Sequence, residues 1–163
     1  MEITLLPFET GDIEAVLEWN SGAGADFLTQ WAGSGYVYPL TYEQVRRRLD
    51  TGNGLEYHIF ALREAGETVG TIEINFLNMK PRSAMICRFL LAPGHRRRGL
   101  GVMSLLAAED YARKRLGLRL LRLKVFEYNR PAVNCYNRAG YMIYNVAAYA
   151  NGLPVLEMEK KIN

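Results

Sequence analysis

The chain predicts a mixed α/β fold built as one domain over residues 1–163, and three patterns carry that prediction. Apolar residues recur at helical spacing over much of the first 50 residues, then switch to period two between Tyr57 and Leu77. A strand, turn, helix and strand then run from Ala84 to Tyr128, which is the pattern of a parallel crossover. A length of 163 residues, with 49% hydrophobic and 23% charged, suits one ordinary hydrophobic core. No segment approaches the roughly 20 apolar residues of a membrane helix. The N-terminus lacks a basic start followed by an apolar run, so the expected location is the cytoplasm, with no membrane partner.

Taken in order, EITLLP (residues 2–7) reads as a short strand, and Thr10 or Asp12 opens a helix through Ile13, Val16, Leu17 and Trp19. Gly22 and Gly24 end it. The stretch ADFLTQWAGSGYVYPLT, rich in aromatics and glycine, reads as a short helix followed by a loop. Thr41 with Gln44 three residues later matches a capping box, and that helix stops near Gly52. YHIFALRE and TVGTIEINFL flank Ala65-Gly66 as a hairpin. AMICRFLLA is the next strand, before Pro93. VMSLLAAEDYARKRLG shows a helical apolar face at Val102, Leu105, Leu106 and Ala112, and LLRLKVFEY follows as a strand. Arg130 to Ala139 form a short helix closed by Gly140. YMIYNVAAYA and LPVLEMEKKI flank Asn151-Gly152, a strong hairpin signal.

The net charge of +3 conceals a division. Residues 88–124 hold ten Lys or Arg against Glu109 and Asp110, whereas residues 1–87 hold twelve acidic residues against six basic ones. This suits an anionic ligand on the middle segment and a cationic one near the N-terminal half, though solvated faces explain charge runs equally simply. Cys87 and Cys135 are isolated in apolar patterns and read as small buried hydrophobes. With no further ligand cluster, no metal site is expected.

The most informative segment is FLLAPGHRRRGLGVM, where glycines fall at the passage from strand to helix. Gly99 and Gly101 let backbone approach a bulky ligand, and the first amides of the following helix lack internal partners, which is the geometry that binds phosphate. Arg96, Arg97 and Arg98 add positive charge, one or two of them facing solvent. The spacing Arg96, Gly99, Gly101 resembles the signature of the GNAT superfamily of N-acetyltransferases. A second segment, VFEYNRPAVNCYNRAGYM, is similar to that superfamily's strand, contacting Asn, short Tyr-bearing helix and Gly-aromatic close, at Asn129, Tyr136, Gly140 and Tyr141. Within the superfamily the chain looks most like the branch of ribosomal-protein N-terminal acetyltransferases.

The resemblance implies a central, mostly antiparallel sheet of six to seven strands, splayed at the cofactor site and flanked by about four helices. It implies acetyl-CoA as co-substrate, without metal. Backbone amides of Arg96, Arg97, Arg98, Gly99, Leu100, Gly101 and Val102 would hold the pyrophosphate, and Phe89, Leu90 and Leu91 would pair with pantetheine as an added strand does. Asn129 would contact the pantetheine arm, or cap the helix before Pro131. Tyr136 would donate a proton to the departing thiolate, or pack as a half-buried aromatic. The acceptor would be a small-molecule amine or a peptide N-terminus attacking directly. Glu73 is the first candidate to receive the amine's proton and Glu127 the second, while an exposed strand residue is the plain alternative for Glu73. Lys124 stands where some members carry a Glu. His58 and His95 have no recognisable dyad partner.

Trp31, Tyr36 and Tyr38, with Asp26 nearby, would form an aromatic wall for the amine, together with Glu73, or would be core. Many relatives form dimers, which makes a homodimer an expected assembly. Three rivals remain: a CoA-binding regulatory or structural module without turnover, nucleic-acid binding by the three arginines, and a dinucleotide oxidoreductase. The arginine run is short for nucleic acid. Ser104 stands where the dinucleotide fingerprint needs its last glycine.

Overall fold

The computed structural model describes residues 2–163. β1 (Thr4–Pro7) leads through a 3-10 turn at Thr10–Asp12 into α1 (Ile13–Asn20), α2 (Ala25–Ala32) and α3 (Tyr42–Asp50). β2 (Tyr57–Glu64), β3 (Glu67–Asn75) and β4 (Ser83–Leu91) follow, then α4 (Leu100–Leu116), β5 (Leu120–Phe126) and α5 (Arg130–Arg138). β6 (Met142–Ala148) and β7 (Pro154–Lys161) close the chain. The strands form one seven-stranded sheet in the order β1-β2-β3-β4-β5-β7-β6. Among the described residues β4–β5 is its one parallel pair. Helices number five rather than about four, because the aromatic stretch opens with a full eight-residue helix, α2.

Local chemistry accounts for most boundaries. Ala65 (φ 50°) and Gly66 (φ 83°) both take the left-handed region, the mirror-image turn whose twist matches a two-residue hairpin. Thr41 accepts from the Gln44 amide at 3.3 Å and caps α3. The expected capping box is only half made. The Gln44 side chain goes instead to the backbone of Val37 and Pro39, pinning the loop ahead of the helix. The last hairpin has a five-residue connection, Tyr149–Leu153, with Asn151 Oδ1 accepting from the Leu153 amide at 3.0 Å.

The sheet carries a core on each face. Leu105, Ala108 and Ala112 of α4 and Val133 of α5 pack on Leu62, Ile72, Leu121 and Met158. On the opposite face Ile13 and Val16 of α1 and Val45 of α3 pack on Ile59 and Ala61. Each of the valine, leucine, isoleucine and methionine side chains among them contributes roughly 1.5–3 kcal/mol on leaving water. Lys160 of β7 ties α4 to α5, its ammonium donating to Glu109 Oε2 and to the Ala139 carbonyl, both at 2.7 Å. A cation at the last carbonyls of a helix is favourably placed.

Two irregularities make the site. β4 and β5 pair only at Ser83–Met85 with Leu120–Arg122, after which they part. On its other side β4 bulges: Glu73 faces Cys87 and Thr71 faces Leu90, so Arg88 and Phe89 together oppose Ile72. Arg88 takes φ 43° there. A bulge bends its strand, and this one turns the second half of β4 away from β5, which stays paired with β7 over its whole length.

Candidate active site

The gap between β4 and β5 opens into a cleft of about 1030 Å³, walled by α2 and the loop to Gly35 on one side and by α5 on the other. The phosphate turn lies at its mouth. Gly99 is the N-cap of α4 with φ 79°, and Arg97 also has φ 62°. A side chain is strained at Gly99, and the space its Cβ would enter is empty. The Met103 amide makes the first helical bond, to Gly99 O at 3.2 Å, which leaves the amides of Leu100, Gly101 and Val102 as free donors at the positive end of a seventeen-residue helix. This is a fitting cradle for a pyrophosphate.

The two glycines do different work. A Cβ on Gly101 would stand 2.7 Å from the sulfur of Cys135, so this glycine is required where α4 meets α5. The three arginines also separate. Arg96 and Arg97 line the cleft. Arg96 stacks over Phe27 at 5.6 Å and donates to the Leu91 carbonyl at 3.2 Å, and burial lowers its pKa. Arg98 turns away and forms a two-pronged bond to Glu64, at 3.2 and 3.1 Å. Leu100 sends its side chain into the core and offers the cleft only its amide.

Along the cleft, Phe89, Leu90 and Leu91 present a backbone edge that β5 no longer pairs. Asn129 occupies the N-cap position of α5, yet its side chain makes no capping bond and lines the cleft. Tyr136 is buried against Phe89 and Tyr141, with ring centroids 6.5 and 6.2 Å away, and also reaches the cleft wall. Burial pushes its phenol well above the usual value, because a phenolate there would lose its water. Cys87 and Cys135 are half-buried and line the cleft, Cys135 also packing against the core, and burial pushes the Cys87 thiol up to about 11.

The aromatic wall is only partly assembled. Trp31 lines the cleft, its indole N–H donating to Asn20 at 2.9 Å. Tyr36 lies behind it, 6.0 Å from the Trp31 ring, and burial pushes its hydroxyl up to about 12. Tyr38 is 53% exposed and belongs to neither the wall nor the core, because the Gln44 bonds hold residues 37–39 over the start of α3.

Glu73 is not an exposed strand residue. It is 1% exposed on the face covered by α1 and α3, bonded through Oε1 to Arg48 of α3 and to Arg88 of β4, the latter at 3.0 Å. Glu127 is exposed and makes no cleft contact. The carboxylate that does line the cleft is Glu157 of β7, facing Lys124 across the β5–β7 ladder with their charged atoms 3.7 Å apart. Sequence reasoning missed Glu157 and Arg88. The signal for Glu157 was the unusual Lys124, since a cation on a strand invites a carboxylate directly opposite. His95 sits 3.8 Å from Glu67, and His58 packs between Phe60 and Phe76, so neither forms a dyad.

A splayed α/β sheet with free helix amides beside the splay suits a long ligand that carries phosphate. The chain belongs to the acetyltransferase (GNAT) family, whose model matches residues 25–141. The fold is shared with spermidine N-acetyltransferase from Vibrio cholerae, solved with CoA and spermine, at a TM-score of 0.83 and 21% identity, covering 99% of this chain and 96% of that one. It is shared too with an aminoglycoside acetyltransferase solved with coenzyme A, at a TM-score of 0.79 and 18% identity, over 98% and 95% of the two chains. Streptothricin acetyltransferase of Streptomyces lavendulae is 43% identical over 51 residues, which is 31% of this chain and only 26% of that protein. Among the described residues no helix is long and apolar enough to cross a membrane.

Proposed function

We propose that the chain transfers the acetyl group of acetyl-CoA to a primary amine by direct attack within this cleft. The observation that carries the reading is the junction of three features: free helix amides at Leu100–Val102, an unpaired strand edge at Phe89–Leu91, and Tyr136 between them. The amides and Arg97 suit the pyrophosphate, the strand edge suits the two amides of pantetheine, and Asn129 faces the same arm. Acetyl-CoA, when bound, supplies a thioester carbonyl already reactive toward a neutral amine. The nitrogen forms the C–N bond, the C–S bond breaks, and the thiolate departs with the electron pair.

Tyr136 donates a hydrogen bond to that sulfur. Its raised pKa makes full transfer of its proton to a thiolate, of pKa about 8.5, strongly uphill. The net proton therefore comes from the amine. We assign its removal to water in the open cleft beside Glu157, in place of Glu73, whose oxygen is held by two guanidiniums. The narrower kinship, with ribosomal-protein N-terminal acetyltransferases, would make the acceptor a peptide N-terminus. A homodimer is supported by β6, an edge strand exposing Met142, Ile143 and Val146.

Calorimetric binding of acetyl-CoA tests the cofactor half. Wild type should bind, and Gly99→Glu, which places a strained anionic side chain in the empty cradle, should lose at least about a hundredfold in affinity. Equal binding by both proteins would place the cofactor elsewhere, and absence of binding by wild type would overturn the reading.

A further inference from the structure

Charge in the acceptor half of the cleft does not balance. Around the bulge, Arg48 and Arg88 share the single carboxylate of Glu73, on the same oxygen. Across the groove Lys124 is matched by Glu157, directly opposite it on β5 and β7. One guanidinium charge is left over. Of the two, Arg88 is the one that lines the cleft, whereas Arg48, its side chain 22% exposed, is stacked 3.5 Å over the Tyr57 ring and lines none of it. The Arg88 side chain is only 15% exposed, and its Nε–H is buried without a partner.

The surroundings hold that guanidinium in one pose. Glu73, itself 2% exposed at the side chain, anchors one edge through Nη1. Tyr36 lies 5.4 Å from it, ring toward the cation. Gly35 has no side chain to collide with it, since a Cβ there would fall 1.6 Å from Nη2. A cation so fixed, part-desolvated and open on one side repels an acceptor that is only cationic. It pairs strongly with a planar carboxylate.

We propose that the acceptor is a small amine bearing a carboxylate, of the amino-acid class, and that Arg88 binds this carboxylate while the amine faces the acetyl site. The proposal rests on the acetyl-transfer reading above. Glu73 is then a positioning residue, and the short separation between the two groups of an amino acid suits a site whose carboxylate receptor is one residue from Phe89, at the unpaired strand edge.

The test measures CoA thiol release with the twenty common L-amino acids, with the amide of each one that reacts, and with spermidine. Amino acids should react with kcat/KM some 10–100-fold above their amides, mostly through KM, and spermidine should be poor. Arg88→Met leaves Glu73 paired with Arg48, so it should fold and keep acetyl-CoA affinity by calorimetry while the acid-over-amide preference falls to about one. Arg88→Lys should recover part of it. Amides or spermidine reacting as well as the acids, or a preference unchanged in Arg88→Met, would overturn the assignment and leave acetyl transfer standing. Binding of acetyl-CoA with no turnover of any amine would overturn both.

Discussion

The two halves of the cleft are made by opposite means. The end proposed for phosphate is a continuous run, Arg96 to Val102, and what it offers a ligand is backbone amides set by one glycine with positive φ and the start of one helix. The end proposed for the acceptor is gathered from Gly35 and Tyr36 of one loop, Arg48 of α3, Glu73 of β3 and Arg88 of β4, and it would work through side-chain charge. The first can be altered at Gly99, where an added Cβ meets no neighbouring atom. The second is a coupled cluster in which each charge sets the geometry of the next.

Tyr136 lines the cleft beside Phe89, and its loss should show in the rate of transfer. Tyr136→Phe should lower kcat by about 10–100-fold, the usual scale for losing one donor to a developing charge. Acetyl-CoA affinity measured by calorimetry should stay within about twofold. A full rate in Tyr136→Phe would remove the junction from the chemistry, whereas no turnover even in wild type would favour a binding module.

Breaking the acceptor end should instead show in stability. Glu73→Gln leaves two part-buried guanidiniums without a counter-charge, and a loss of about 2–4 kcal/mol in urea unfolding is expected, discounted for their partial exposure. If Glu73→Gln abolishes transfer while its stability is unchanged, Glu73 is the proton acceptor after all. The smallest effect belongs to Gly101. Gly101→Ala should cost about 1–2 kcal/mol through the contact with Cys135, and Gly101→Ala with Cys135→Ala should recover most of it. Failure of that rescue would mean that Gly101 is needed by the ligand and not by the packing.

Much of this was legible in the chain. Hairpin turns, the capping threonine, the strand-turn-helix unit and the phosphate turn are local devices, and each left its residues at short, regular spacing. The phosphate end was therefore visible down to Gly99, and Asn129 and Tyr136 were found through a second short motif. Which arginine would turn away was not legible, because the partner that holds Arg98, Glu64, is 34 residues away.

The acceptor end could not be read the same way. Nothing at Glu73 announces Arg48 and Arg88, because their meeting depends on α3 crossing the sheet face and on a bulge that re-aims one side chain of β4. Tyr38 was placed in the wall by its neighbours in sequence, and Gln44 then held its loop elsewhere. Backbone geometry is written in nearest neighbours, so the sequence alone determined the sheet's elements and the anion cradle. The balance of buried charge is a sum over residues far apart in the chain, and only the tertiary structure decided it.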